Sequence, residues 1–482
     1  MTLATINPAV VECEYAVRGA LAIRAEELKK EIAAKGRAQA GFRSITSCNI
    51  GNPQQLGQTP ITFFRQVAAL IEYPNLLDAQ HRDAIKGMFA PDAIERAQKL
   101  LKAMGGSVGA YTHSQGIPLI RENVAKFIEE RDGYPSDPND IFLTAGASPG
   151  VQLILQTLIA HEKVGIMIPI PQYPLYTASI ALFKGNAVPY YLEEETNWGL
   201  KLEELERAHT LGKSRGHDIR ALCVINPGNP TGGCLSVSHM KQIIEFCHRE
   251  KLVLLADEVY QTNTYMPETF PFHSFKKILM SMGPPYSTSV ELISFHSISK
   301  GVIGECGRRG GYLECTNIDP KVKDMFYKVA SISLCPPAQG QVMVDLMVRP
   351  PREGDESWEG YRGEVGRIYA SLQKRAAQLA EAFNKLEGVS CQPAQGAMYL
   401  FPQIHLPEKA IAAAKKAGVA PDELYCMELL NATGVCVVPG SGFHQKSGTW
   451  HFRSTFLPPE EQMGGFIRSI QGFHEGFLKR YA

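Results

Sequence analysis

The stretch "ISFHSISKGVIGECGRRGGY", residues 293–312, joins an apolar run to a single lysine and, nine positions after that lysine, to an arginine. The run before Lys300 predicts a buried strand, so its amine would lie just beyond the end of that strand. Taken alone, Lys300 favours a solvated surface residue, and no glycine precedes it at the spacing of a P-loop lysine. The role of the amine therefore depends on the residues that follow the other strands.

Five near-continuous apolar runs between residues 141 and 300 predict strands, and segments with helical periodicity separate them. The runs are "IFLTAGAS", "VGIMIPI", "ALCVINP", "KLVLLADEVY" and "ELISFHSISK". After the first run, Ser148 and Pro149 fit the N-cap and the first position of a helix. Residues 164–183 carry no charge, but three prolines interrupt them, which favours a strand plus a loop over a membrane span. This order predicts a parallel or mostly parallel sheet covered on both faces.

A second, smaller domain is predicted after the Pro-rich, charged segment 348–361. A long helix follows that segment and is expected to end at Gly388, a C-cap glycine. The predicted fold class is α/β, with a large domain built on a mostly parallel mixed sheet and a smaller α+β domain. The predicted division assigns residues 1–75 to an N-terminal arm and part of the small domain, 76–350 to the large domain and 351–482 to the small C-terminal domain.

The composition excludes several classes of partner. Lys plus Arg equals Asp plus Glu at 49 each, so no net field favours nucleic acid or an acidic membrane. The 11 cysteines form no CxxC pair and no cluster at zinc-ligand spacing, which predicts reduced thiols and no metal site. Glu12 and Glu14 lie early in an N-terminus that lacks a basic region before an apolar run. We therefore expect a cytoplasmic protein without membrane or nucleic-acid partners.

Polar and glycine-rich segments follow the predicted strands, at the edge where open α/β sheets bind their ligands. Asp257 comes after a strongly apolar run, and a buried carboxylate is costly unless it has a partner such as a cationic heterocycle nitrogen. Tyr260 supplies a phenol that could bond a ring oxygen, although this pair could also simply close a turn. Asn229, held between prolines in "NPGNPTGG", either marks a rigid loop or fixes an amide against a ligand oxygen.

A phosphate site is predicted where the helix at Ser148 begins, because free backbone amides and the positive end of the helix dipole favour an anion. Ser297, Ser299 and Arg309 could bind the same dianion from the other side, the arginine through a bidentate fork. A phosphate, a ring with a basic nitrogen and an oxygen, and a carbon that reacts with an amine together indicate pyridoxal phosphate.

These residues resemble fold-type I pyridoxal-phosphate enzymes and, among them, the alanine aminotransferase family. The resemblance runs through nearly the whole chain, in the motifs "EYAVRGAL", "NIGNPQQLGQTPITFFRQV", "VGAYTHSQGI", "VINPGNPTGG", "ADEVYQ", "SISKGVIGECGRRGGY", "CPPAQGQVMVDLMV", "QGAMYLFP" and "HFRSTFLPP". The Asn-Pro motif is shared by many transaminases, whereas "GECGRRGGY" and "QTPITFFRQV" are far more specific. Arg308 departs from the family pattern, where an aromatic residue is often found, and leaves substrate preference open.

The resemblance implies that Lys300 bonds the cofactor covalently and later carries the substrate proton. Asp257 would hold the ring nitrogen protonated, and Tyr173 in "PQYPLY" would stack on the ring. The implied cofactor-binding residues are Gly146, Ala147, Ser148, Tyr173, Asn229, Asp257, Tyr260, Ser297, Ser299, Lys300, Arg309 and Tyr111.

Three further residues carry what the resemblance implies about substrates and assembly. Arg453 in "HFRSTF" would bind the substrate α-carboxylate, and Gly51 and Asn229 would also contact the substrate. Tyr111 in "GAYTHS" resembles a tyrosine that reaches the phosphate of the neighbouring subunit, which implies a homodimer with shared sites. No arginine is evident for the distal carboxylate of glutamate.

The implied activity is transfer of the amino group of L-alanine to 2-oxoglutarate, giving pyruvate and L-glutamate, in a ping-pong reaction that alternates the pyridoxal and pyridoxamine forms of the cofactor. A glutamate:glyoxylate aminotransferase could use the same residues, and a β-eliminating lyase is a further alternative. A non-catalytic sensor that binds the cofactor belongs to another class. No helix-turn-helix segment or basic arm supports that reading.

Overall fold

The computed structural model describes residues 1–15 and 19–482. Part of the motif "EYAVRGAL", residues 16–18, therefore lies outside the described residues. The elements that position the predicted site all fall within the described ranges.

A sheet of seven strands forms the centre of the molecule, in the order β2 (Ile141–Thr144), β8 (Gly311–Thr316), β7 (Leu292–Ser297), β6 (Val253–Asp257), β5 (Asp218–Ile225), β3 (Val164–Ile170) and β4 (Asn186–Tyr191). All neighbouring strands run parallel except β8, which is antiparallel to both β7 and β2. The prediction of a mostly parallel mixed sheet is thus confirmed. The strands of the whole chain are β1 Thr46–Ser47, β2 Ile141–Thr144, β3 Val164–Ile170, β4 Asn186–Tyr191, β5 Asp218–Ile225, β6 Val253–Asp257, β7 Leu292–Ser297, β8 Gly311–Thr316, β9 Val389–Ser390, β10 Tyr399–Leu400, β11 Gln403–Ile404, β12 Val435–Cys436, β13 Val438–Pro439 and β14 Phe452–Thr455.

Helices cover both faces of this sheet because successive strand residues point to opposite sides. On β5, Leu222 and Val224 pack into one apolar cluster with the helices Leu202–Ser214, Val237–Glu250 and Phe275–Ser281. Ala221 and Cys223 pack into another cluster with the helices Ala147–Leu158, Leu175–Leu182 and Pro320–Ile332. The helices are α1 Pro8–Glu12, α2 Ala20–Lys35, α3 Thr62–Glu72, α4 Arg82–Lys86, α5 Pro91–Ala103, α6 Pro118–Asp132, α7 Ala147–Leu158, α8 Leu175–Leu182, α9 Leu202–Ser214, α10 Val237–Glu250, α11 Phe275–Ser281, α12 Tyr286–Ser289, α13 Pro320–Ile332, α14 Ala338–Val348, α15 Trp358–Asn384, α16 Glu408–Ala417, α17 Pro421–Thr433 and α18 Glu460–Tyr481.

The C-terminal part of the chain packs with segments from the N-terminal part. Strand β1 pairs in parallel with β12, and β14 lies between β10 and β13 in a small antiparallel sheet. One apolar cluster joins residues of α2 to residues of α15, α17 and α18. Pairing of β1 with β12 places the loop that begins at Cys48 beside β14, where Thr455 donates its backbone N–H to the Cys48 carbonyl. The predicted division at residues 75 and 350 stays a prediction.

Three predicted element boundaries are wrong. Helix α7 is capped by Gly146, and Ser148 and Pro149 lie inside its first turn. The segment predicted to be a loop after β3 contains α8, because its prolines end before Leu175 and the following apolar residues can form a helix. Helix α15 ends at Asn384, and Gly388 instead takes a left-handed conformation in the turn that leads into β9.

Among the described residues, no helix is both long and apolar enough to cross a membrane.

The cysteines of the described residues are all free, and seven of them are buried, as predicted from their apolar surroundings. They are packed in the molecule as small apolar side chains.

Candidate active site

The candidate site lies beyond the carboxyl ends of β5, β6 and β7, the sheet edge where ligands of such folds bind. Strand β6 ends at Asp257 and β7 ends at Ser297. The loop after β7 brings Lys300 to the same edge, and the loop after β5 contains Asn229, which is buried. Parallel strands thus carry residues that are far apart in sequence to one point.

Lys300 contacts the N-terminal part of the chain. Its Nζ donates a hydrogen bond of 3.2 Å to the carbonyl oxygen of Gly51. A Cβ added to Gly51 would lie 3.2 Å from this Nζ and 2.5 Å from the hydroxyl oxygen of Tyr399, so only glycine fits there. The structure therefore brings Lys300 and Gly51, both named from the sequence, into direct contact.

Asp257 is 4% exposed, and its Oδ2 accepts a hydrogen bond of 2.9 Å from the hydroxyl of Tyr176. Burial raises the pKa of Asp257 to about 6, although the hydroxyl of Tyr176, the backbone N–H of Val259 and the charge of Lys300 oppose that rise. A cationic ring nitrogen beside this carboxylate would lower its pKa again and would supply the charge partner that burial demands.

Arg453 is buried, with 1% of its surface exposed. Its guanidinium donates hydrogen bonds to oxygens of neutral groups. Its Nη1 donates to Oδ1 of Asn229 at 3.0 Å and its Nη2 donates to the carbonyl of Asn49. Its Nε has no hydrogen-bond partner among the described residues. A buried positive charge with a spare donor suits a substrate carboxylate, which can accept from the planar fork. The contact with Asn229 uses the amide oxygen and leaves the amide nitrogen able to donate.

Gly146 and Arg309 form one wall of a cradle at the start of α7. Gly146 has φ 94°, and a Cβ on it would lie 2.6 Å from Nη2 of Arg309. The arginine donates from Nη2 to the Ala145 carbonyl at 2.9 Å and from Nη1 to the Cys306 carbonyl at 3.0 Å. Its Nη1 also lies 3.5 Å from Oγ of Ser299.

The first turn of α7 forms the floor of this cradle. No side chain caps the helix, so the backbone amides of Ala147 and Ser148 face the cradle without a side-chain acceptor. The hydroxyl of Ser297 accepts from the backbone N–H of Ser299 at 3.3 Å, which fixes the two serines relative to each other. A helix end that has no side-chain cap and lies beside an arginine fork fits a phosphate dianion.

Two predicted cofactor residues, Tyr260 and Tyr173, lie at this site, and a third, Tyr111, is exposed. Tyr260 is buried, its hydroxyl lies 3.4 Å from that of Tyr399, and burial raises its pKa far above the ordinary value. Tyr173 is half-buried, with its hydroxyl 2.9 Å from that of Tyr15. Tyr111 is 80% exposed and is not among the contacts of this site within its own chain.

Sequence reasoning missed Tyr176, Tyr399 and Asn49. Tyr176 lies three positions after Tyr173 in the quoted "PQYPLY", and Tyr399 lies in the quoted "QGAMYLFP". A second tyrosine one helical turn after the first was the available signal for Tyr176. Nothing in the local pattern indicated that the carbonyl of Asn49 would bind Arg453.

The residues present fit pyridoxal phosphate. The cradle between Gly146 and Arg309 suits its phosphate, buried Asp257 suits its ring nitrogen, and the Lys300 amine suits its aldehyde. Together with the sheet order, this site defines a fold-type I pyridoxal-phosphate-dependent transferase.

Comparison with known proteins narrows that class. Residues 82–470 match the family described as "Aminotransferase class I and II". The chain is 52% identical over 482 residues to the Arabidopsis thaliana protein named "Alanine aminotransferase 1, mitochondrial", covering 100% of this chain and 88% of that one. It is 51% identical over 479 residues to "Glutamate--glyoxylate aminotransferase 2" of the same plant, covering 99% and 96%. The chain therefore belongs to the class I and II aminotransferases and, within them, to the alanine aminotransferase family.

Solved structures agree with this fold. The alanine aminotransferase from Pyrococcus furiosus superimposes with a TM-score of 0.74 at 22% identity, covering 98% of this chain and 100% of that one. The mitochondrial name of the Arabidopsis relative contradicts the predicted cytoplasmic location.

Proposed function

We propose that the protein transfers the amino group of L-alanine to 2-oxoglutarate, giving pyruvate and L-glutamate. The observation that carries this proposal is the segment from Asn49 to Gly51, whose carbonyls bind Arg453 at one end and Lys300 at the other. Two residues of chain span at most about 7 Å. The two carbonyls that hold the guanidinium and the amine thus lie close together, and the names of the relatives point to alanine.

Each side chain then has a defined task. Arg453 binds the α-carboxylate and orients the Cα–H bond, and the free amine of Lys300 takes the proton from Cα. In the second half-reaction Lys300 returns a proton to the carbon of the incoming oxo acid. Pyridoxal phosphate, when bound, supplies the aldehyde that receives the amino group and the ring that accepts the electrons left at Cα. Asp257 keeps a proton on the ring nitrogen.

The first test follows the absorbance of the cofactor band of the purified protein. L-Alanine should bleach the band and 2-oxoglutarate should restore it, since the two half-reactions are separate. Lys300→Ala should keep the fold and lose turnover by roughly a thousandfold or more, because the same amine serves both half-reactions. Lys385→Ala, which removes an exposed lysine paired with Glu381 on α15, is the matched control. A band that L-alanine leaves unchanged would contradict the proposed substrate.

Glutamate:glyoxylate transfer is a second candidate, because a relative with that name is 51% identical to this chain. The same residues serve either acceptor. Turnover with 2-oxoglutarate and with glyoxylate at matched concentrations separates the two. A clear preference for glyoxylate would replace the first proposal and leave the roles of Lys300 and Arg453 unchanged.

We also propose a homodimer in which Tyr111 completes the phosphate site of the neighbouring subunit. Tyr111 is 80% exposed, and the backbone N–H of the next residue, Thr112, donates to Sγ of Cys335 at 3.4 Å, just after α13, where an apolar patch lies. The ring of His113 lies 5.3 Å from that of Tyr327 on α13, which ties the Tyr111 loop to this patch. The exposed members of the patch are Met325, Tyr327, Ile332 and Leu334. Several exposed apolar residues on one helix and the residues directly after it favour a protein interface.

A further inference from the structure

Tyr399 lies between the two charged groups of the proposed reaction. It belongs to β10, which pairs with β14, the strand that carries Arg453. Its side chain is 2% exposed. The roles described above for Lys300 and Arg453 do not include it.

The ring of Tyr399 is one of two aromatic rings that contact the guanidinium of Arg453. The guanidinium carbon lies 4.1 Å from the centre of this ring and 4.8 Å from the centre of the Phe443 ring. A cation is attracted to the face of an aromatic ring, and the attraction is strongest where water is excluded. The rings and the oxygens of Asn229 and Asn49 therefore hold the plane of the guanidinium.

The hydroxyl of Tyr399 lies at the other charged group. Tyr260 donates to it at 3.4 Å, and the position of a Cβ on Gly51 would lie 2.5 Å from it. The same Gly51 binds Lys300 through its carbonyl. The hydroxyl thus touches the peptide that positions the amine.

The charges around this hydroxyl change its acidity. Burial alone would raise the pKa of Tyr399, but the positive charges of Lys300 and Arg453 outweigh burial and the pKa is lowered. The other titratable groups that face it are Tyr260 and Tyr173. A phenol that ionises more readily can balance a positive charge close to it.

We propose that Tyr399 is a positioning residue with two separable functions: its ring orients Arg453 for the substrate carboxylate, and its hydroxyl orients Gly51 and holds positive charge at Lys300. This inference rests on the proposed aminotransferase function. It assigns the ring to substrate binding and the hydroxyl to the proton-transfer steps.

Two variants separate the two functions. Tyr399→Phe keeps the ring, so KM for L-alanine should stay within about threefold of wild type while kcat falls roughly tenfold. Tyr399→Leu removes the ring as well, so KM for L-alanine should rise by roughly tenfold or more. In both variants the pH midpoint of the cofactor absorbance band should move to lower pH by about half a unit or more, because a group that holds a proton at the lysine nitrogen is gone.

Tyr265→Phe is the matched control. Tyr265 is also buried, and its hydroxyl donates to the Ala397 carbonyl, away from Lys300 and Arg453. This variant should retain the wild-type kinetic constants and the wild-type pH midpoint.

The outcomes are distinguishable. A wild-type band that L-alanine does not bleach contradicts the proposed function itself. If wild type reacts and Tyr399→Phe matches Tyr265→Phe in kcat and midpoint, the role of the hydroxyl is overturned. An unchanged KM in Tyr399→Leu overturns the role of the ring, and equal losses in both variants without a midpoint shift would show a structural role only.

Discussion

Two adjacent carboxylates, Asp257 and Glu258, are both buried but have different surroundings. Asp257 faces Tyr176, whereas Oε1 of Glu258 accepts from the backbone N–H of Phe275 at 2.7 Å. Burial raises the pKa of Glu258 to about 8, and the charge of Arg131 only partly offsets that rise. Glu258 is therefore protonated at neutral pH, whereas Asp257, whose pKa is raised only to about 6, is mostly ionised there.

Glu258→Gln should make the stability of the protein less dependent on pH. The folded pKa lies above the ordinary value of 4.5, so the folded protein holds a proton that the unfolded chain releases. The resulting stabilisation is complete below pH 4.5 and is lost as the pH rises through about 8, with a size on the order of a few kcal/mol. Glutamine resembles the protonated acid and does not titrate.

The measurement is the thermal midpoint of wild type and variant at pH 6 and at pH 9. The thermal midpoint of the variant should rise relative to that of wild type between pH 6 and pH 9. Glu245→Gln, at an exposed position of α10, is the control and should follow wild type. A constant difference between Glu258→Gln and wild type across this range would show that Glu258 is already ionised in the folded protein.

The sequence indicated Asp257 and Lys300 because each follows a recognisable strand, and residues after parallel strands meet at one edge. It could not indicate Tyr399, because β10 has only two residues and offers no alternation to interpret. The position of Tyr399 depends on the pairing of β10 with β14, more than fifty residues away in sequence. Contacts of this kind are set by tertiary packing rather than by local pattern.

At the scale of elements, the N-cap of α7 is a residue that leaves space for a neighbouring arginine side chain. Ser148 is a good N-cap residue, and the sequence favoured it for that reason. The helix instead begins two residues earlier, because Gly146 can take φ 94° and leaves room for the guanidinium of Arg309. A serine cap would have used the backbone amides that now face the cradle.

Gly146→Ala should weaken cofactor binding by roughly tenfold or more, because loss of one charge-assisted hydrogen bond costs about 1.5–3 kcal/mol. The added Cβ would lie 2.6 Å from Nη2 of Arg309 and displace it. The measurement is the affinity of the cofactor-free protein for pyridoxal phosphate. Gly133→Ala is the control, since Gly133 has φ 79° but no atom within 4 Å of its Cβ position. Equal affinities of the two variants for pyridoxal phosphate would show that the cradle does not bind the phosphate.

At the scale of the whole molecule, the sheet and its helices were predictable because buried parallel strands give continuous apolar runs. The assembly was predictable only through resemblance. The apolar patch on α13 combines exposed residues with the Tyr111 loop, and two chain segments that are about 200 residues apart come together there. No sequence pattern alone indicates that such a surface exists.

Ile332→Asp should convert the proposed dimer into single chains. Ile332 is 79% exposed in one chain, and a carboxylate in an apolar interface would be left without a partner. Light scattering should show the mass of one chain, and the phosphate site should lose affinity because Tyr111 would no longer reach it. Leu211→Asp, at an exposed position of α9, should leave the mass unchanged. A mass of two chains for Ile332→Asp would exclude this patch from the interface.

The short segment between Asn49 and Gly51 has a consequence for which molecules the site rejects. Its two carbonyls bind Lys300 and Arg453, the groups that the proposed reaction uses to take a proton and to bind a carboxylate. We expect a molecule with its amino group one carbon further from the carboxylate to fit this pair of groups less well than an α-amino acid. Under the proposed function, this short backbone segment would favour α-amino acids by spacing, before any side chain is recognised.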